Sequence, residues 1–235
     1  MNYLTRVFLD YETAAMRRFH DAYDWHQAVW KAFPHLDRQR NDRRDGGTPR
    51  CFLTRLDEDR RRGGFRLYIF SATAPVRPPW CPDHVGSWES KAVAPAFLEH
   101  NRYRFSLRAN PTKKLNPKGP DGLRHGQGKR VPLRELKDLH GWIERKATAA
   151  GFEVEYGTLR ITPRGLQHFA KEKERALGTV GAVNFEGCLR VLDHDAFKNA
   201  FANGIGSAKA FGFGLLLIAP LDGNLNRKYE QKENV

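Results

Sequence analysis

The stretch "RYRFSLRAN" (102–110) decides the fold. Tyr103, Phe105 and Leu107 alternate with Arg102, Arg104 and Arg108, a period of two that places apolar side chains on one face of a strand and arginines on the other. Downstream, "PTKKLNPKGPDGLRHGQGKR" (111–130) has no apolar period and reads as a mobile basic loop. "PLRELKDLHGWIERKATAAG" (132–151) has helical spacing and stops at Gly151. "FEVEYGTLRI" (152–161) begins a strand or hairpin arm, and "GAVNFEGCLRVL" (181–192) is another strand. "DHDAFKNAFANG" (193–204) reads as a helix with Asp193 near its start, and "GLLLIAP" (214–220) as a final buried strand. The order β-α-β-β-α-β is the ferredoxin-like pattern, which common RNA-recognition domains share.

The first half starts the same way. "NYLTRVFL" (2–9) reads as a strand, and "DAYDWHQAVWKAFP" (21–34) as a helix capped by Asp21 and closed by Pro34. "CFLTRL" (51–56) and "FRLYIFSA" (65–72) are two strands around the charged turn "DEDRRRGG" (57–64). The charged segment 35–50 is a loop, and 73–100 is a Pro- and Trp-rich connector with room for one short helix or strand. The expected architecture is therefore α+β, with two tandem ferredoxin-like (RRM-like) βαββαβ domains. They span 1–95, read only as far as β-α-β-β, and 101–220, followed by a flexible tail at 221–235.

Forty Lys and Arg against 27 Asp and Glu give a net charge of +13 over 235 residues, which favours a polyanionic partner, nucleic acid before membrane. Cys51, Cys81 and Cys188 form neither a CxxC pair nor a zinc spacing. "MNYLTRVFLDYE" (1–12) puts Arg6, Asp10 and Glu12 where a signal peptide needs an apolar run, and no stretch is long enough for a membrane span. The expectation is a soluble cytoplasmic protein with no metal site and no cofactor.

"GIGSAKAFGFG" (204–214) is not a P-loop, because the order here is helix, glycine run, strand, and a P-loop needs strand, loop, helix. Gly204, Gly206, Gly212 and Gly214 around Ser207 and Lys209 read either as an anion-binding nest with an added cation or as a tight helix-to-strand turn. Their density beside a lysine favours a phosphate-backbone contact. In the 21–34 helix, Trp25, Ala28, Val29, Ala32 and Phe33 form the apolar stripe. Tyr23 and His26, at i and i+3, lie off its centre together with Trp30, which either stacks on a base or packs against the 73–100 connector.

Four stretches taken together, "DAYDWHQAVWKAFP" (21–34), "YRFSLRANPTKK" (103–114), "WIERKATAAGFEV" (142–154) and "GIGSAKAFGFGLLLIAP" (204–220), resemble the CasE-type CRISPR RNA-processing endoribonucleases. The resemblance implies tandem ferredoxin-like domains and a substrate, the stem-loop repeat of a precursor CRISPR transcript. It implies a metal-free cut at the stem base that leaves a 2',3'-cyclic phosphate and a 5'-hydroxyl, and retention of the product hairpin. By motif position, Tyr23 and His26 match the family's catalytic pair. The implied partners are the repeat RNA and other subunits of a Cascade-like complex, above all the protein that coats the guide.

Two basic regions are the expected RNA contacts. One is the loop 111–130, with Lys113, Lys114, Lys129 and Arg130; the other is "RITPRGLQHFAKEKER" (160–175), with Arg160 and Arg164. The charged segments 35–50 and 57–64 depart from the family pattern. The rival reading is a non-catalytic subunit that binds the RNA hairpin, and a third is a general RNA-binding regulator without a defined cut site.

Overall fold

The computed structural model describes residues 1–36, 51–83, 86–115, 129–171 and 176–221. The charged segment at 37–50, the centre of the basic loop at 116–128 and the tail beyond 221 lie outside the described residues.

The first sheet contains β1 (Asn2–Asp10), β2 (Phe52–Asp59), β3 (Gly64–Ser71) and β4 (Ser87–Val93) in the order β2-β3-β1-β4, all antiparallel. That is the ferredoxin-like order, and β4, which the sequence left inside the connector, completes it. Two helices follow β1. The short α1 (Tyr11–Met16) is capped by Asp10, whose Oδ1 accepts from Thr13 N–H at 2.7 Å. Next comes α2 (Ala22–Trp30). Among the described residues no helix separates β3 from β4. The connector between them instead straps α2: Trp80 Nε1–H donates to Ala28 O at 2.7 Å and Val76 N–H to Ala32 O at 2.9 Å.

The second sheet has the order β11-β5-β10-β8, again ferredoxin-like, with β9 also paired to β10. Its strands are β5 (Arg102–Ala109), β8 (Phe152–Val154), β9 (Arg160–Lys171), β10 (Ala176–Val191) and β11 (Leu216–Pro220), and its helices are α3 (Leu136–Ala149) and α4 (His194–Asn203). Tyr103, Phe105 and Leu107 are buried while Arg102 and Arg104 are exposed, as the alternation requires. The hairpin β9–β10 begins its second arm at Ala176, five residues earlier than its apolar pattern signalled, because the distal arm is paired through backbone hydrogen bonds and needs no apolar face. The basic loop is likewise not irregular at its ends. Thr112–Leu115 (β6) and Lys129–Pro132 (β7) pair as a small antiparallel ribbon.

Two cores hold these layers. One face of the first sheet, with Val7, Leu9, Leu67 and Ile69, closes over Trp25, Val29 and Phe33. Leu53 and Phe70 from its other face join the core of the second sheet and helices, where the rings of Phe70 and Phe201 meet edge to face at 4.8 Å. Each such large apolar side chain contributes about 1.5–3 kcal/mol on burial. The chain is thus a tandem ferredoxin-like α+β protein whose two halves share a core. No helix among the described residues is long and apolar enough to cross a membrane.

Candidate RNA-processing site

The start of α2 is set by a reciprocal cap. Asp21 Oδ1 accepts from Tyr23 N–H at 2.8 Å and Asp24 N–H at 3.0 Å, and Asp24 Oδ2 accepts in return from Asp21 N–H at 3.3 Å and from His20 N–H at 2.9 Å. These bonds satisfy amides that the first helical turn leaves without carbonyl partners. The helix ends at Trp30, one turn before Pro34, and helical backbone resumes at 34–36, so Pro34 opens a new turn instead of closing the old one.

Tyr23 and His26 are both half-buried. The His26 ring lies 5.1 Å from that of Phe52 on β2 and 6.3 Å from that of Trp30, centroid to centroid. Trp30 itself is 5% exposed, with its ring 4.9 Å from Phe52. Trp30 is thus packed internally, with β2 as its ring's partner where the sequence pointed to the connector: the helix is covered on two sides, so the off-stripe position is also interior.

The glycine-rich run joins α4 to β11, and a 3-10 turn at Lys209–Phe211 packs against both α2 and β2. This contact brings the Tyr23/His26 helix and the glycine run together from opposite ends of the chain, and α2 also packs on β9. Much of the glycine density has a local cause. Gly204 and Gly214 sit at φ +75° and +86°, and Ile205 N–H donates to Gly214 O at 2.8 Å. A Cβ on Gly214 would stand 2.8 Å from Ile205 O, so no other residue fits there. Gly206 crosses the face of Trp142. Ser207 Oγ–H donates to Asn110 O at 3.4 Å, and Lys209 Nζ donates to Asn203 O at 2.6 Å, a cation on the carboxyl end of α4. Gly212 also has a left-handed φ, +80°, but a Cβ there would meet nothing closer than 3.8 Å, and with Phe211 it lines a cleft of about 270 Å³ together with Phe19, His20 and Asp21 at the start of α2.

The basic residues divide into two groups. Arg160 and Arg164 are exposed on β9, at the end of the strand that pairs within the sheet. Lys113, Lys114 and Arg130 are exposed on the β6–β7 ribbon, where Lys113 pairs with Asp138 at 3.6 Å and Arg130 donates to Thr112 Oγ1 at 3.3 Å. Lys129 lies on β7. The ribbon's base adjoins β10, since a Cβ on Gly181 would approach Pro132 to 3.3 Å.

A polar network that the sequence did not reveal joins the two halves. Arg55 on β2 is 6% exposed in its side chain and bonds Asp57 at 3.1 Å and Ser106 Oγ at 2.8 Å. Arg108 on β5 bonds Asp57 at 2.7 Å, Asn184 Oδ1 at 3.0 Å and the carbonyl of Leu56. Burial holds Arg108 below the usual arginine pKa, an effect that Asp57 opposes and Arg55 and Arg164 reinforce. In sequence these residues look like the solvated faces of two strands; only the docking of β2 on β5 encloses them.

Fold and site define a basic tandem ferredoxin-like protein with a histidine-bearing helix clamped between a glycine-rich turn and an arginine-rich hairpin. Residues 2–220 match the family profile described as CRISPR associated protein. The CRISPR-associated endoribonuclease Cse3 of Thermus thermophilus is 29% identical over 230 residues, 93% of this chain and 100% of that one. The CRISPR system Cascade subunit CasE of Escherichia coli K12 is 30% identical over 203 residues, 86% of this chain and 93% of that one. Among solved structures, Thermus thermophilus Cse3 bound to an RNA representing a pre-cleavage complex superposes with a TM-score of 0.68 at 28% identity, covering 93% and 99% of the two chains. The chain belongs to the CRISPR-associated protein family and is of the CasE type.

Proposed function

We propose that the protein is a CRISPR RNA endoribonuclease that cuts the stem-loop repeat of the precursor transcript without a metal and retains the product hairpin. The observation that carries this reading is the packing of α2, which bears Tyr23 and His26, against both the Lys209–Phe211 turn of the glycine-rich run and β9, the strand that bears Arg160 and Arg164. The 2'-oxygen of the upstream ribose attacks its own phosphorus, the new P–O2' bond closes the cyclic phosphate, and the P–O5' bond breaks. His26 gives a proton to the departing 5'-oxygen, and Tyr23 orients or deprotonates the 2'-hydroxyl. Because the tyrosine hydroxyl has a reference pKa near 10, orientation is its favoured role. Phosphate charge is met by the glycine-rich run, with Phe211–Gly212 presented to the RNA and Ser207 and Lys209 bracing the loop, and by the basic hairpin and ribbon.

In this reading residues 1–95 carry the catalytic helix and 101–220 carry the phosphate loop and basic arms. The RNA bound in one relative's structure and the Cascade membership of another support a repeat hairpin and Cascade-like subunits as partners. Three cysteines that form no disulfide among the described residues fit a reducing cytoplasm.

The test is cleavage of the hairpin repeat RNA in EDTA by the wild type and by His26→Ala. A single cut at the stem base, slowed about 100-fold or more in the variant while RNA binding persists, supports the assignment. Tight binding with no cut by the wild type replaces it with the non-catalytic hairpin-binding subunit.

A further inference from the structure

A groove of about 800 Å³ adjoins the cleft at the start of α2 and is lined by β2, β3 and their connecting turn on one side and by β5, β9 and β10 on the other. Cleft and groove are continuous, because Leu56, Phe65 and Arg108 line both. Six arginines and four carboxylates line the groove, so it carries net positive charge. The carboxylates are already engaged: Asp57 by Arg55 and Arg108, Glu58 by Arg60, Asp59 by Arg66, and Glu186 by the Ser106 hydroxyl. Arg61 and Arg164 face the groove and make no ion pair among the described residues. Past Glu186 the path continues into a second depression lined by Arg104 and Arg160. At the junction with the cleft, the half-buried ring of Phe65 is held edge-on by Tyr11 at 5.3 Å and Trp25 at 5.7 Å.

Uncompensated arginines along a groove, with a fixed aromatic ring at its mouth, match what a nucleic-acid single strand requires: cations for the phosphates and a flat face for a base. We propose that this groove is the track for single-stranded RNA flanking the repeat stem, with Arg61 and Arg164 as its phosphate contacts and Phe65 as its stacking surface. The track deepens the RNA-processing reading above and rests on it. It also gives the charged β2–β3 turn, which departs from the family pattern, a task distinct from holding the stem.

The experiment measures affinity and its salt dependence for the full chain. The probe is a repeat hairpin with 2'-deoxyribose at the nucleotide before the cut, so that it binds without reacting. One form is the stem-loop alone; two others carry a short single-stranded extension on the 5' or the 3' side. The extended RNA is expected to bind about tenfold more tightly than the stem-loop, with Arg61→Ala removing roughly half of that gain on a logarithmic scale and reducing the salt slope by about 0.7. Arg61→Lys should restore the slope and Arg61→Glu abolish the gain; Arg61 is exposed on a turn and no described contact of the fold depends on it. If the stem-loop binds tightly but neither extension adds affinity, or if Arg61→Glu keeps the whole gain, the track is overturned while the endoribonuclease reading stands. If no RNA form binds, both fall together.

Discussion

At the scale of single residues, the case rests on a half-buried imidazole set against Phe52 and Trp30, one helical turn from a tyrosine. Packing restricts how the ring can turn, and a fixed ring is what proton delivery to one oxygen requires. The two members of the pair have separable roles. His26→Ala is expected to cost about 100-fold or more in the single-turnover cleavage rate. Tyr23→Phe, which keeps the ring and loses the hydroxyl, is expected to cost only about tenfold if the tyrosine orients the 2'-hydroxyl. Equal losses in the two variants would make Tyr23 the base. Sequence spacing alone placed both residues off the apolar stripe, and the helix carries them there. Trp30 was not legible in the same way, because its burial comes from β2, a strand more than twenty residues downstream.

At the scale of elements, the glycine-rich run shows how one sequence feature answers two demands. Gly204 and Gly214 are required by the turn itself, and Gly212, whose φ of +80° also favours glycine, lines the cleft at the start of α2. Gly214→Ala, with its Cβ 2.8 Å from Ile205 O at φ +86°, should destabilise the fold by about 2 kcal/mol or more and lower Tm by several degrees. Gly157→Ala, with nothing within 4 Å, should stay within about 0.5 kcal/mol of wild type in the same melts. A Gly214→Ala protein with an unchanged Tm would show that the loop is looser than its hydrogen bonds indicate. Lys209 is spent on the carboxyl end of α4, so its contribution to RNA affinity is expected to be indirect, through the shape of the loop.

At the scale of the whole molecule, the union of the halves is both apolar, through Leu53, Phe70 and Phe201, and ionic, through Arg55, Asp57 and Arg108. Among the described residues, Asp57 is the carboxylate that ion-pairs with both Arg55 and Arg108. Asp57→Ala would leave both cations without their carboxylate and should cost about 3–5 kcal/mol in urea unfolding. A loss below about 1 kcal/mol would mean that water enters the interface freely. Acid should weaken the fold through a different set of groups. Hydrogen bonds hold Asp10, Glu99 and Glu155 below their ordinary carboxylate pKa, with Thr13, Lys198 and Arg102 as the respective donors. A depressed folded pKa adds stability above the unfolded value, and that stability is lost as pH falls through the folded value. Tm should therefore hold near neutrality and decline below about pH 4.5, with a shallower decline in Glu155→Gln.

What this sequence determined by itself is whatever depends on neighbours along the chain. The strand period of "RYRFSLRAN", the stop at Gly151, the cap at Asp21 and the off-stripe spacing of Tyr23 and His26 are local, and alternation and capping act over a few residues. The order of those elements was enough to specify the second ferredoxin-like domain and the β-α-β-β opening of the first. Only the tertiary structure decided what meets what. It closed the first sheet with β4, turned the ends of the basic loop into a paired ribbon, and buried Trp30. It also enclosed Arg55 and Arg108 around Asp57 and set the Lys209–Phe211 turn against α2. The physical reason is that burial and ion pairing depend on which surfaces dock. Residues more than fifty positions apart leave no periodic trace of the partner they will meet.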